Sequence, residues 1–376
     1  MNTSYKFGYW EVCGKKYHHK LRAVIDAVAL GHWPHYNFHE DAFSKFSWTT
    51  EPTETLTELY CQRARQLREK HESISIEFSG GADSWNAVYS FLRQGLHVDV
   101  LLYSYDKNIS QDQNDTSGKN CQSEGIFSAY PWYKKFLELD PAIKWVTHEK
   151  TDDMIETWSR GTIDPLEHNM IHPGWLTKVS RELGDDINCR ADTSANLIGI
   201  DKPNLFFKDN TFYFYFPDFP HLLRGVLDRE ARGTNINDYL FYWDPDCAKL
   251  LIKQAHIVMN WFKQNPKMLY LISNQHHRDT DAYYHIVDSL IYPDYQEIWQ
   301  SKKPKGIYLL EHESWFENHI DTVHGKNWAA TRQNLSDIVA STLSGTQFEN
   351  FMQTEDGFSR LPVSWSKMYE IGSINQ

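Results

Sequence analysis

The sequence predicts an α/β protein built on a doubly wound parallel sheet, with a small α+β appendage before it and a helical region after it. Three observations lead there. Ile74, Ile76 and Phe78 alternate with polar residues, and the apolar spacing then becomes helical at Ala87, Val88, Phe91 and Leu92 before a second apolar run, Val98–Tyr103. Strand, helix and strand at that length make a parallel crossover unit. Helix-like and strand-like stretches go on alternating at 123–139, 143–147 and 151–159, the pattern of a sheet covered by helices. Finally, an apolar run over 196–200 ends in Asp201-Lys202-Pro203; the proline halts ladder pairing and places those residues at a strand end.

In chain order, residues 1–50 form the appendage, with a hairpin turning at Cys13-Gly14, a helix over Leu21–Val28 that ends at Gly31, and a third strand near Tyr36. It reads as a stabilising cap. Residues 51–265 form the main domain. It opens on a helix whose Thr55 and Glu58 have capping-box spacing, and Arg63, Arg65, Arg68 and Lys70 are expected on the solvated side of that helix. LFFKDNTFYFYF, 205–216, predicts a hairpin turning at Asp209-Asn210, and Ala248–Phe262 an amphipathic helix. Residues 266–376 are expected to be irregular or helical, with a short helix around Asn334–Val339 and no catalytic constellation.

Composition narrows the function classes. A chain of 376 residues can bury a sizeable core, which is the ordinary use of its 14 Trp and 21 Tyr. A formal charge of −12 argues against nucleic acid as a partner, because a protein that grips phosphates along a strand carries a basic face. The five cysteines are widely spaced and lack a C-x-x-C pair; they make neither a disulfide framework nor a zinc ribbon, and they fit the reducing cytoplasm. The N-terminal stretch has no apolar signal-like core and no run approaches ~18 apolar residues, so no membrane is expected. His168 and His172 have a spacing that can bind metal, but Pro173 follows at once, and a substrate-side or packing role is the better reading; His276-His277 reads as an exposed loop doublet with no better claim to a metal.

The chemistry concentrates in Ser79-Gly80-Gly81-Ala82-Asp83-Ser84, between the first strand and its helix. Glycines let a backbone turn sharply and bring its N–H groups against an anion. The positive end of the helix dipole points at the same spot. Ser79 and Ser84 add hydroxyls, and Asp83 can serve Mg²⁺ or order the loop. This is a phosphate cradle, and with no Gly-Lys-Ser/Thr after it, it is not the Walker loop.

The hexapeptide resembles the S-G-G-x-D-S signature of the N-type ATP pyrophosphatases, the PP-loop superfamily, which includes asparagine synthetase, GMP synthetase and tRNA-modifying enzymes. Within it, FYWDPDCAKLLIKQAH, 241–256, resembles a segment of asparagine-synthase-like proteins of bacterial viruses. The resemblance covers about 70–265 and implies a sheet of the adenine nucleotide alpha hydrolase-like type. It further implies ATP cleavage to AMP and pyrophosphate, with Mg²⁺, to activate a carboxylate or amide for attack by an amine or ammonia. ATP and a small-molecule acceptor are the implied ligands. By the same resemblance Ser79, Gly80, Gly81, Ala82, Asp83 and Ser84 bind the nucleotide, and Tyr103, ending the second strand, neighbours the adenine. Asp83 and Lys202 act in catalysis, Lys202 on the β- and γ-phosphates, and Asp83 and Asp201 hold the metal. The competing reading of Asp201-Lys202 is a surface turn with a local ion pair.

Fewer than 80 residues precede the loop and the chain starts Met1-Asn2-Thr3, so the cysteine-led glutaminase half of asparagine synthetase is expected to be absent. Ammonia or another amine would then come from solution or from a separate protein. Two other readings stay open: a sulfur-transfer or tRNA-modifying enzyme, with Cys121 or Cys189 as the reactive thiol, and a nucleotide-binding protein without catalysis.

Overall fold

A computed structural model of the chain describes residues 7–105, 125–149, 151–166, 193–200, 202–218, 237–273, 280–292, 315–351, 353–355, 358–361 and 363–375. The N-terminal stretch forms the hairpin β1 (Tyr9–Val12) and β2 (Lys15–Tyr17), then α1 (Lys20–Ala29) and β3 (His35–Asn37), which pairs antiparallel with β1. Cys13 and Gly14 both take positive φ, 47° and 81°, as a two-residue hairpin turn of primed type requires. A short helix, α2 (Glu40–Phe43), follows.

The main domain opens with α3 (Leu56–Lys70), and its capping box is formed: Glu58 N–H donates to Thr55 Oγ1 at 3.2 Å and Thr55 N–H to Glu58 Oε2 at 2.8 Å. Next come β4 (Ser73–Glu77), α4 (Ala82–Leu92) and β5 (Val100–Tyr105). A π-helical turn over Gly125–Ala129 runs into α5 (Tyr130–Leu139), then β6 (Lys144–Glu149) and α6 (Thr151–Ser159). β7 (Ser194–Ile198), the hairpin β8 (Asn204–Lys208) and β9 (Thr211–Tyr215), and β10 (Asn237–Leu240) complete it.

Strands β10, β7, β4, β5 and β6, in that order, make a five-stranded sheet in which every pairing is parallel. The chain walks from β4 out to β6 and returns to the other side of β4 for β7 and β10. This is the Rossmann-like order, whose crevice lies outside the carboxyl ends of the strands where the walk reverses. Here that place is between β4 and β7.

One sheet face is apolar, with Ile74, Ile76, Leu101 and Leu197 fully buried. The other carries Ser75, Asn196 and Asp238 abreast. Alternation predicts a half-buried β4, yet Ser75 is buried as well. Its row satisfies itself across the sheet: Ser75 Oγ donates to Asn196 Oδ1 at 3.1 Å, and Asn196 Nδ2 to Asp238 Oδ1 at 2.9 Å and Glu77 Oε1 at 3.1 Å. Buried polar groups are tolerated when paired in this way.

Two expectations about helices are corrected. Arg63 is not on a solvated face: it is 3% exposed, donates to the carbonyls of Phe241 and Leu240, and pairs with Asp244 at 3.1 Å. Helical spacing puts it on the α3 face that meets the end of β10, where unpaired carbonyls need a donor. The helix expected over Asn334–Val339 runs instead from Val323 to Leu343, after α7 (Ala248–Gln264) and α8 (Thr280–Ile291), and is α9. It packs at one end with Trp158 and Phe316 through Trp328, and at the other with Leu21 and Val24 of α1 through Val339 and Leu343.

After the short hairpin β11 (Gln353–Glu355) and β12 (Phe358–Arg360), the chain ends in β13 (Tyr369–Ser373). Sequence reading missed β13, which pairs antiparallel with β9. The largest buried cluster draws on all three predicted stretches: Trp10 and Tyr36 from the first, Ile76 and Phe214 from the second, Tyr283 and Ile371 from the third. Among the described residues no helix is long and apolar enough to cross a membrane.

Candidate functional site

The carboxyl edge of the parallel sheet gathers three chain segments: the loop after β4, the exit from β7, and the exit from β10. The loop turns at Gly80, φ +73°, the left-handed region that glycine enters without strain. A Cβ there would lie 2.6 Å from both Ala129 N and Ser128 Oγ, and Ser128 Oγ donates to the Gly80 carbonyl at 2.6 Å. The π-helical turn before α5 is therefore the wall against which the loop is pressed.

Gly81 differs from the expectation that both glycines make the bend. It is extended, φ −76° and ψ 165°, and serves as the N-cap of α4 without any side-chain cap. The helix thus begins with main-chain amides at its positive end and no capping side chain. Ser79 and Ser84 face each other across the loop with their Oγ atoms 3.4 Å apart, and Ser84 Oγ donates to the Gly81 carbonyl at 3.2 Å. Bonds this long are weak, so a better acceptor can redirect either hydroxyl.

β7 leaves the sheet against the first turn of α4. A Cβ on Gly199 would lie 3.0 Å from Ser84 Cα and 3.1 Å from Ser84 N, so any larger residue there would push the first turn of α4 back by a few tenths of an ångström. Lys202 follows, and its ammonium reaches Asp83 Oδ2 at 3.4 Å and Asp288 Oδ1 at 3.4 Å. The lysine side chain is 12% exposed, while Asp83 keeps 27%. The structure so brings Asp83 and Lys202 together from positions 119 apart in sequence. Asp201 lies outside the described residues, as do Cys121, Cys189, His168, His172 and the His276-His277 pair.

From the exit of β10, Tyr242 OH donates to the Asp83 carbonyl at 2.6 Å and accepts from Asn86 Nδ2 at 3.1 Å. Burial pushes the Tyr242 phenol well above its ordinary value, and the phenol of Tyr60 nearby adds to the shift. It therefore acts as a neutral donor that fixes the start of α4. In the sequence Tyr242 stands only within the 241–256 segment, with no role of its own, and neither Asn86 nor Ser128 is singled out.

Tyr103, expected to end its strand, lies two residues short of the end of β5 at Tyr105, and is buried. Its ring stacks with Tyr105 and Trp145, at centroid distances of 6.1 and 5.7 Å, and is covered by Gly125. Cys247 is buried after β10, its thiol pushed up to about 11 by burial, so it stays a protonated packing group. Among the described residues no three His, Cys, Asp or Glu side chains cluster so as to hold a metal. No family model matches the chain, and no curated protein matches its sequence.

Proposed function

We propose that the chain is an ATP-dependent adenylating enzyme of the PP-loop type, asparagine synthetase-like, which cleaves ATP to AMP and pyrophosphate. One observation carries this reading: Ser79–Ser84, with its S-G-G-x-D-S spelling, sits at the reversal point of a parallel sheet with a lysine ammonium 3.4 Å from its aspartate. A loop of main-chain amides, a helix N-terminus and a compact cation together suit a polyphosphate.

In this reading the amides of residues 80–84 and the hydroxyls of Ser79 and Ser84 take the β- and γ-phosphates. A carboxylate or amide oxygen of the acceptor attacks the α-phosphorus, the bond from that phosphorus to the bridging oxygen breaks, and pyrophosphate departs with the electron pair. Lys202 stabilises the negative charge gathering on that leaving group. An amine or ammonia then attacks the activated carbon and expels AMP.

Asp83, a hard oxygen donor in the first turn of α4, fits Mg²⁺, which takes one or two carboxylates and completes its shell with phosphate oxygens and water. The ion would neutralise phosphate charge. Asp83 would otherwise hold Lys202 and the loop in register, with Tyr242 fixing its main chain.

The test is to incubate the protein with ATP, Mg²⁺, ammonia and a panel of carboxylates, and to quantify products. Equal amounts of AMP and pyrophosphate are expected, with Asp83→Asn slowing their release by about 10²-fold while its urea unfolding curve stays close to wild type. ADP and phosphate as products, or an undiminished rate in Asp83→Asn, would contradict the reading.

A further inference from the structure

Lys202 is held from a part of the chain in which the sequence shows no catalytic pattern. Tyr284 and Asp288 stand at i and i+4 on α8, one face of the helix. Asp288 Oδ1 lies 3.4 Å from the Lys202 ammonium, and that ammonium sits 5.4 Å from the centre of the Tyr284 ring, inside the range of a cation–π contact. The neighbouring Tyr283 holds the main chain beside the lysine. Its hydroxyl donates to the Pro203 carbonyl at 2.6 Å and accepts from Leu205 N–H at 3.1 Å. α8 is itself anchored, since Tyr60 OH donates to the Ile291 carbonyl at 2.6 Å and Tyr283 stacks on Phe262 of α7 at 6.3 Å.

We propose that α8 aims Lys202 at the loop, with Asp288 and Tyr284 as positioning residues for its ammonium and Tyr283 for its main chain. The inference rests on the nucleotide reading of the loop and deepens it by naming what prepares the phosphate-binding cation. Charge-assisted N–H···O bonds settle at about 2.7–2.9 Å when a pair is committed. Lys202 stands at 3.4 Å from each of two carboxylates, hydrogen-bonded to Asp83 Oδ2 and ion-paired with Asp288 Oδ1 without a hydrogen bond, so neither pair is closed. A free lysine side chain has a large rotamer entropy to lose on engaging a ligand. Confinement between Asp83, Asp288 and the Tyr284 ring removes much of that cost before any phosphate arrives. Asp288 also balances the pull of Asp83, which alone would draw the ammonium into a closed pair across the loop.

Two double-substitution cycles test this with Asp288→Asn and Lys202→Ala, singly and together. In urea unfolding of the ligand-free protein, the two substitutions should be non-additive, as expected for groups in contact. In equilibrium binding of ATP and of AMP, Asp288→Asn should weaken ATP by about tenfold and AMP by less than about twofold, with no further loss of ATP affinity in the Lys202→Ala background. Asp288→Glu should restore part of the ATP affinity. Wild-type protein that binds neither nucleotide overturns both the nucleotide reading and the aiming role. Wild-type protein that prefers ATP to AMP, while the substitutions act independently in both cycles, overturns the aiming role alone. A loss shared equally by ATP and AMP in Asp288→Asn overturns it too, since a general loosening of the fold would have that effect.

Discussion

Gly80 is held to glycine by two constraints at once. Its φ of +73° and the 2.6 Å that a Cβ would leave to Ala129 N and Ser128 Oγ act together. Alanine there meets a backbone atom, and the loop can relieve the clash only by leaving the π-helical turn. Gly80→Ala is expected to lower stability in urea by about 1–3 kcal/mol and to abolish ATP binding even where the protein stays folded. Unchanged binding would show that the loop need not be pressed against residues 128–129. The motif was legible as a string, but the reason for its first glycine was not. That reason is a neighbour 48 positions away, contributed by a turn whose helical spacing gave no hint of π geometry.

At the scale of elements, the turn between β10 and α7 shows how a strand end is secured. Arg63 of α3 donates to the carbonyls of Phe241 and Leu240, and the Cys247 thiol approaches the carbonyls of Tyr242 and Asp244 at 3.3 Å each. Tyr242, on this turn, holds Asp83, so the turn fixes the start of α4. Burial raises the Cys247 thiol from 9.0 to about 11. The neutral thiol is thus favoured in the folded state, and its contribution is present in full below pH 9 and lost as pH climbs towards 11. Denaturant unfolding at stepped pH should show wild type losing roughly 3 kcal/mol more over that window than Cys247→Ser; parallel curves for the two proteins would mean that the thiol ionises freely. The capping box of α3 was readable because both partners lie within one turn. The inward role of Arg63 was not, because an arginine in a basic run looks the same from sequence whether its helix faces water or a strand end.

For the whole molecule, the first and last described stretches meet around β9 and the segment that follows it. The buried Lys20–Asp218 pair, 2.8 Å apart, and the bond from Trp10 Nε1 to Asp218 at 2.9 Å attach the N-terminal stretch to the segment after β9. β13 covers the β9 edge, and Tyr369 stacks on Trp48 at 4.5 Å. Removing residues 369–376 would uncover the β9 edge and the rings of Trp48 and Phe214. Burial of Tyr369 and Ile371 is worth on the order of 5 kcal/mol, comparable to the whole net stability of many domains. The shortened chain is expected to be recovered largely as aggregate, or to bind a hydrophobic dye strongly. A soluble, cooperatively unfolding product would mean that β13 is dispensable.

By itself the sequence determined what depends on near neighbours. These are the α/β alternation, the β4–loop–α4 unit with its S-G-G-x-D-S spelling, the Thr55–Glu58 cap and the turn at Asp209-Asn210, where both residues take positive φ. Periodicity and turn chemistry act over a few residues, so they can be read directly. Tertiary structure alone decided that β7 lies beside β4, that Lys202 stands between Asp83 and Asp288, and that the last strand closes on β9. Those arrangements follow from which surfaces bury each other once the chain has collapsed, and burial is a property of the packed whole that no local spacing encodes.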